Sequence, residues 1–398
     1  MMSLPDSARA VLESAALAHL VTLNPDGSPQ VSVVWVGLDG DEIVAGHLPE
    51  HRKRDVYWMA DERGHRHLVF DRKVYDYIPN PTFDPVAVAG AFDRRKVEPI
   101  SDHPEYRDRD ARLRTFDQQG IEGALLFPTL INGLEELIGG NVPLYYDVMW
   151  AYNRWLDDEW GFAYRDRIFA TPMVPFGDPD RAVEMLEWAI GRGARAVAVA
   201  AAPALTAFGY RSPADAMFDP FWARCAEARV VVCAHAGANR YNRYSGDLTG
   251  HYEQRPFEDQ TLDALINHGR AISDYLSALV WQGALTRFPD LRVMSVENRS
   301  DWAVPLLEAF RRFYRSGSLP EDPVETFHRC VWISPHWEDE LEELVEQVPS
   351  ERVVAGSDWP HYDSLADPAS FAKYLDGFSD DVVRGIMRDN LRSLLAAT

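Results

Sequence analysis

Basic residues are in short supply in this 398-residue chain. Lys and Arg number 40 against 62 Asp and Glu, a formal charge of −22 at neutral pH. Such an excess of carboxylates repels phosphate backbones and argues against nucleic acid as a partner. Its plain reading is a well-solvated acidic surface. Cysteine is scarcer still. Cys225, Cys233 and Cys330 are the only three, and none pairs at CxxC spacing. Buried free thiols in a reducing compartment are expected. No apolar run reaches the roughly 18 residues that a membrane span needs. The N-terminus lacks the basic start and long apolar stretch of a signal peptide. A cytoplasmic protein with no membrane partner is expected. Repeats and low-complexity tracts are missing too.

What is present is an ordinary globular composition, 46% hydrophobic and 26% charged, which is ample for a large core. The first part reads as β. The apolar runs Ala16–Leu23, Val31–Leu38 and Glu42–Leu48 are separated by turns at Asn24–Gly27 and Asp39–Asp41, and a short helix, Asp6–Glu13, precedes them. Such a meander needs a partner surface to be stable. Residues 54 to 120 are irregular. Arg66–Phe70 and Lys73–Tyr77 flank Asp71-Arg72 as a hairpin, and a proline-rich loop follows at Ile78–Pro85.

From about residue 120 short apolar runs alternate with helical patterns. The runs are Gly123–Phe127, Ile168–Val174, Ala194–Ala201, Val230–Ala236, Leu291–Glu297, Cys330–Ser334 and Arg352–Ser357. Amphipathic stretches such as Asp180–Arg192, Phe218–Ala228 and Trp302–Ser316 lie between them. This alternation implies parallel pairing, since a parallel crossover needs a helix-length connection. Uninterrupted apolar strands mean that both sheet faces are buried. The fold class is therefore α/β. A (β/α)8 TIM barrel takes about 250 residues, which leaves room for a second module. The first strand of that barrel is atypical or missing, and an open doubly wound sheet is the alternative. Three parts are expected: a β-meander over 1–53, an irregular connector over 54–120, and the barrel over 121–398.

Barrel enzymes carry their chemistry at the C-terminal ends of the strands. One run ends Cys233-Ala234-His235-Ala236-Gly237, which lets an imidazole reach a metal above the barrel; a core histidine bonded to a carbonyl is the plainer alternative. The last run ends Gly356-Ser357-Asp358-Trp359-Pro360-His361. A carboxylate there is costly to bury without a cation or a donor, although a helix N-cap would also suit it. Glu297 leaves a third strand end as a general base or ligand. Asn298, His336 and His361 are placed on the pocket wall, and Asp301 reads as the N-cap of the next helix. A divalent metal held by His and carboxylate suits zinc or manganese. Such an ion acidifies water, and Asp358 is positioned to take the proton.

These residues sit within ordered motifs. They are IPNPTFDPVAV at Ile78–Val88, YRDRDARL at Tyr106–Leu113, GALLFPT at Gly123–Thr129, and Tyr152-Asn153-Arg154-Trp155. The AHAG block at His235, VENRSDW at Val296–Trp302 and GSDWPH at Gly356–His361 follow. From about Val56 onward the chain resembles the amidohydrolase-related (amidohydrolase family 2) proteins, which include the aminocarboxymuconate-semialdehyde and dihydroxybenzoate decarboxylases. The resemblance implies a metal at the barrel mouth, with His235 as ligand from the fifth strand and Asp358 from the eighth. Two departures stand out. Relatives carry a catalytic histidine after the sixth strand, where Glu297 or Asn298 stands here. They also open with an acid-x-His or His-x-His strand, and none precedes the IPNPTFDP block. His65-Arg66-His67 has that spacing but lies on the expected hairpin, so it is not expected to bind metal. Leu17–Lys53 instead resembles the first strands of a pyridoxamine 5′-phosphate oxidase-like flavin-binding split barrel, with Arg52 and Lys53 as phosphate contacts.

Three functions follow as expectations. The first is a metal-dependent hydrolase or decarboxylase acting on a small carboxylate or aromatic substrate, and homo-oligomeric. Its metal ligands are His235 and Asp358. Asp358 and Glu297 are its catalytic groups, with His336, His361 and Asn298 facing the substrate. The second is a flavin-binding oxidoreductase working through the N-terminal module. The third is a barrel with impaired metal binding, in which His19 or His47 of the meander would be the only substitutes for the missing ligands. Specificity is expected in the tyrosine-rich stretch 238–263, and the aromatic segment Trp150–Trp160 is expected to wall the mouth.

Overall fold

The computed structural model describes residues 17–23, 29–35, 47–60, 66–75, 85–93, 95–128, 131, 133–237, 239–250, 262–267, 269–315 and 317–396. The expected helix at 6–13, the turns at 24–27 and 39–41, most of the third β run and residues 78–84 of the proline-rich loop fall outside this set, as do His65 and the side chain of His19.

Two hairpin systems come first. β1 (Leu17–Leu23) pairs antiparallel with β2 (Pro29–Trp35). β3 (Val56–Ala60), β4 (Arg66–Phe70) and β5 (Lys73–Tyr75) form an antiparallel meander. The turn between β4 and β5 is Asp71-Arg72, both at positive φ, 49° and 63°. That matches the right-handed twist of a tight hairpin. The hairpin was legible in the sequence, but β3 beside it was not. Phe70 is fully buried and meets Tyr75 edge-on. Arg52 bonds Asp147 at 2.8 Å and Asp55 at 3.3 Å, and Lys53 pairs with Glu50 at 3.0 Å. The two side chains read as phosphate contacts thus hold carboxylates of this chain. A short ladder of β6 (Val86–Ala87) with β7 (Val97–Glu98) follows.

The rest is one parallel ladder. β8 (Ala124–Leu126) pairs with β9 (Ile168–Ala170). Just past β9, Met173 bridges to Ala198 of β10 (Ala196–Ala200). A small hairpin of β11 (Ala204–Thr206) and β12 (Gly209–Arg211) interrupts the chain. Then β10 pairs with β13 (Val231–His235), β13 with β14 (Arg292–Val296), and β14 with β15 (Val331–Ile333). Ile333 bridges onward to Val353. Seven staves therefore follow one another in chain order, the neighbour relation of a (β/α)8 barrel. The expected last strand, Arg352–Ser357, makes only that one bridge. Its Gly356 lies against Ser334 so closely that a Cβ there would collide with the hydroxyl. Among the described residues no strand pairs with both Val353 and β8.

Closure shows in the side chains. Phe169, Ala196, Val231, Cys233, Met294 and Trp332, with Val354, form one interior cluster drawn from six of these staves, and Leu125 of β8 packs on it. Residues on the opposite parity, such as Val232, Ala234, Val293 and Ile333, join the larger core under the helices. Leu394 and Leu395 of the C-terminal helix fill the floor. Arg195, just before β10, and Arg292, at the start of β14, donate to the carbonyls of Leu395 and Leu394 at 3.2 and 2.7 Å. The opposite end, where the strands finish, is left for chemistry.

The outer helices follow ordinary rules. Pro179–Gly191 starts at Asp178, whose carboxylate accepts from the amides of Asp180 and Arg181. It buries Ala182, Met185, Leu186 and Ala189, the spacing of one helical face. Helix Ala303–Phe313 differs from expectation: Trp302 occupies its N-cap without a capping bond from its own side chain, and Asp301 is exposed. The free amide is met instead by a turn, since Ala303 N–H donates to the Ser300 carbonyl at 2.9 Å.

Helix Val142–Glu159 carries the aromatic segment expected to wall the mouth, and its buried Asn153 ties it to the barrel. The Asn153 amide donates to the Met173 carbonyl at 2.8 Å and accepts from the Met173 N–H at 3.0 Å. It thus serves as a surrogate strand edge where the β9 ladder ends. Asn153→Ala leaves both backbone groups buried without partners. The expected loss is about 2–4 kcal/mol, read by urea unfolding. A loss below about 0.5 kcal/mol would remove this clamp from the account of the fold.

Candidate metal centre

Period-two alternation decides which side chains reach the mouth. On β13 the interior residues are Val231 and Cys233, so the next is His235. On the last stave Val354 is interior, and Gly356 and Asp358 continue its parity. Glu297 has the wrong parity for β14, yet it reaches the same place. Its backbone is left-handed, φ 58°, and so is that of Asp358, φ 57°. Non-glycine residues in this region carry strain of about 1 kcal/mol or more. Such strain concentrates at functional sites.

The four polar groups meet. His235 Nε2 lies 2.8 Å from Glu297 Oε2, and His361 Nδ1 lies 3.0 Å from Asp358 Oδ2. Glu297 Oε1 is 4.0 Å from His361 Nδ1, which joins the two pairs. His235 Nδ1 sits 2.6 Å from the Ala236 carbonyl. A carbonyl only accepts, so Nδ1 carries hydrogen and Nε2 is the ring atom that faces the cluster. The His235 side chain is 5% exposed and that of Glu297 35%. Glu297 therefore stands on the solvent side of the pair.

Charge follows from this geometry. Burial opposes a charged His235, but Glu297, aided by the Ala236 carbonyl and Asp358, holds its pKa above the usual histidine range. Burial likewise opposes the Glu297 charge, and His235, then His361 and His336, keep that carboxyl below its usual range. Burial and the neighbouring Glu297 carboxylate push Asp358 up to about 6. Against burial, Asp358 and Glu297 raise His361 to about 10. Without a cation the cluster therefore pairs two basic rings with two acidic groups.

The donor set fits a divalent cation. Glu297, Asp358 and His361 each offer a ligand atom, all within 4.8 Å of one another, and His235 adjoins them through Glu297. Mixed imidazole and carboxylate donors suit zinc or manganese. The sequence named all four residues, with Glu297 as a general base or ligand and His361 on the pocket wall. His336 lies near: its backbone N–H donates to Asp339 at 2.8 Å, and its Nδ1 accepts from the Glu338 N–H. Burial, then Arg299, lowers its pKa. Asn298 turns its amide nitrogen to the Ala234 and Val296 carbonyls, at 2.9 and 2.8 Å, clamping two strand ends. Of the discounted residues, His47 is 3.8 Å from Asp158, and His67 lies on β4 opposite Met59.

Other participants were missed in the sequence. Asp363, five residues past Asp358, has its carboxyl raised by burial, and its Oδ1 is buried without a hydrogen-bond partner. The signal was a third acid–base residue in the string Asp358-Trp359-Pro360-His361-Tyr362-Asp363. Phe127, one residue past β8, packs against the His235 ring at 5.1 Å. The YRDRDARL motif also finds its use here. Tyr106 meets Trp359 edge-on at 5.7 Å, and the buried Arg112 guanidinium lies over the same indole at 4.6 Å. Both fix the residue that follows Asp358.

Residues 60–396 match the amidohydrolase family. An amidohydrolase from Mycobacterium avium subsp. paratuberculosis K-10 is 37% identical, covers 90% of this chain and 96% of its own, and superposes with a TM-score of 0.83. Two structures share the fold at lower identity. A 2,6-dihydroxybenzoate decarboxylase from Rhizobium is 18% identical over 72% of this chain and 88% of its own, TM-score 0.54. A dihydroxybenzoic acid decarboxylase from Polaromonas sp. JS666, with bound manganese and the inhibitor 2-nitroresorcinol, is 16% identical over 75% and 90%, TM-score 0.54. No curated protein matches the chain. Among the described residues no helix is long and apolar enough to cross a membrane.

The His235–Glu297 pair has a spectroscopic consequence. Glu297→Gln removes the charge that, with its hydrogen bond, Ala236 and Asp358, offsets burial, so the His235 pKa should fall. Histidine ring NMR titration of the metal-free protein reads it, and an unchanged pKa would mean that Glu297 does not govern this ring.

Proposed function

The chain belongs to the amidohydrolase family of metal-dependent hydrolases and decarboxylases, and we propose that it cleaves a C–N or C–C bond in a small aromatic or carboxylate substrate at the His235 cluster. The observation that carries this reading is the meeting of His235, Glu297, Asp358 and His361 at strand ends on one mouth. His235 and Asp358 bind the metal, zinc or manganese, and Glu297 and His361 complete the donors in place of a first-strand pair. When bound, a divalent ion supplies Lewis-acid polarisation and lowers the pKa of water.

The chain's own residues do the rest. Asp358 presents a carboxylate oxygen that can take or return a proton, which either reaction requires. His361 fixes the orientation of Asp358 through the 3.0 Å contact. The Ala236 carbonyl holds the His235 ring through Nδ1, and Glu297 borders the solvent side, where it orients the substrate. His336 lines the pocket wall, and Phe127 supplies an apolar face beside His235.

Asp358→Asn should abolish metal retention and turnover while leaving the barrel folded. Elemental analysis with circular dichroism checks this, and a variant that kept both its metal and its activity would overturn the ligand set. His65→Ala and His67→Ala should change neither. Metal uptake should also weaken in acid. In the metal-free protein His361 is charged well above neutrality, so a cation must displace its proton. Below that pKa, apparent affinity should fall about tenfold per pH unit for each proton displaced. Calorimetric titration with Zn²⁺ or Mn²⁺ at pH 6 and pH 8 reads the slope, and equal affinities would exclude His361 as a ligand.

A further inference from the structure

A cleft of about 730 Å³ opens beyond β10 and β13, against helix Arg270–Trp281. Its position is set by register. Ala200 pairs with His235 across the ladder, and Ala201, the next residue, already lines the cleft. The volume falls in the range of small-ligand sites, about 300–1,000 Å³.

The lining runs against the composition of the chain. Acids outnumber bases by 62 to 40, and arginines elsewhere hold carboxylates: Arg52 has Asp147, Arg195 has Asp166, Arg224 has Glu187 and Arg329 has Glu321. Yet Arg211, Arg240 and Arg270 all face this cleft, and among the described residues none of the three forms a salt bridge, although Arg240 acts at longer range on the buried Glu135 and its backbone N–H donates to Glu136. The cleft's own acid, Asp274, is engaged by the Tyr241 hydroxyl. Three guanidiniums against that one carboxylate leave the concavity net positive, which favours an anionic ligand.

The remaining walls say what carries that anion. Tyr210 and Tyr244 present rings that are 43% and 53% exposed, and Arg240 stacks over Tyr210 at 3.6 Å. Ala202, Pro203, Pro213, Ala271 and Ala278 supply an apolar floor. Tyr275 also lines the cleft, and its hydroxyl is buried without a partner. A guanidinium fork matches a planar carboxylate, and phenol rings with small apolar residues match a flat hydrocarbon body. We propose that this cleft is a binding site for an aromatic carboxylate, separate from the His235 cluster and independent of any metal there.

The test is calorimetric titration of the metal-stripped full chain with benzene-1,3-dicarboxylate, benzyl alcohol and inorganic phosphate. The dicarboxylate should bind, phosphate should bind more weakly, and the alcohol should not bind. Arg240→Gln and Arg270→Gln should each weaken the dicarboxylate roughly tenfold or more, with unchanged melting curves. Asp358→Asn should leave its affinity unchanged. Absence of dicarboxylate binding would overturn the proposal. So would binding that survives both arginine changes but is lost with Asp358→Asn, since that ligand would belong to the histidine cluster. Phosphate binding as tight as the dicarboxylate would reduce the cleft to a plain anion site and reject the aromatic part. Because no metal is present, failure here leaves the reading of the His235 cluster untouched, and loss of that reading leaves this cleft standing.

Discussion

Everything at the mouth depends on one constraint: parallel strands of period two, curled so that one parity faces inward. The interior cluster of Val231, Cys233, Met294, Trp332 and Val354 draws these strands around a single axis, and burial of that apolar surface drives it. Given the curl, His235 and Asp358 emerge together, because His235 is the next inward position above Cys233 and Asp358 the second above Val354. The polar residues do not assemble the site. They inherit it from apolar alternation lower in the same strands, and strained turns at Glu297 and Asp358 adjust the final approach.

The electrostatics are built on that scaffold. Each basic ring faces an acid, and each pair sits close enough to the other to shift it. The same burial that raises Asp358 opposes the charge on the two rings. The arrangement persists only because opposite charges are packed within a few ångströms in a medium that screens them weakly. Trp359, held by Tyr106 and Arg112, fixes the backbone that follows Asp358.

Much of this was legible in the sequence, for identifiable reasons. The runs that became β10, β13 and β14 were readable because a strand buried on both faces is uniformly apolar. His235 and Asp358 were readable as polar residues ending such runs. The approach of Glu297 to His361 was not, because parity puts Glu297 on the wrong side and only a left-handed backbone brings it round. The last stave was over-read: Arg352–Ser357 is apolar enough for a strand, yet only Val353 bridges. The hairpin of β11 and β12 was missed, since Ala207-Phe208-Gly209 is a weak turn signal. Asp301 has the chemistry of a cap, but a backbone turn from Ser300 does that work. Long-range partners, such as Asn153 with Met173, leave no trace in local pattern.

The balance of charge at the cluster has a bearing on how a preparation of this protein would be judged. Two rings and two carboxyls that neutralise each other need no ion to keep the loops around them in place. On that balance of charge, a sample stripped of its cation should keep the fold of the mouth. Its quality by every measure of shape would then be no guide to its competence, and an inert batch would be indistinguishable from a working one until its metal content was assayed.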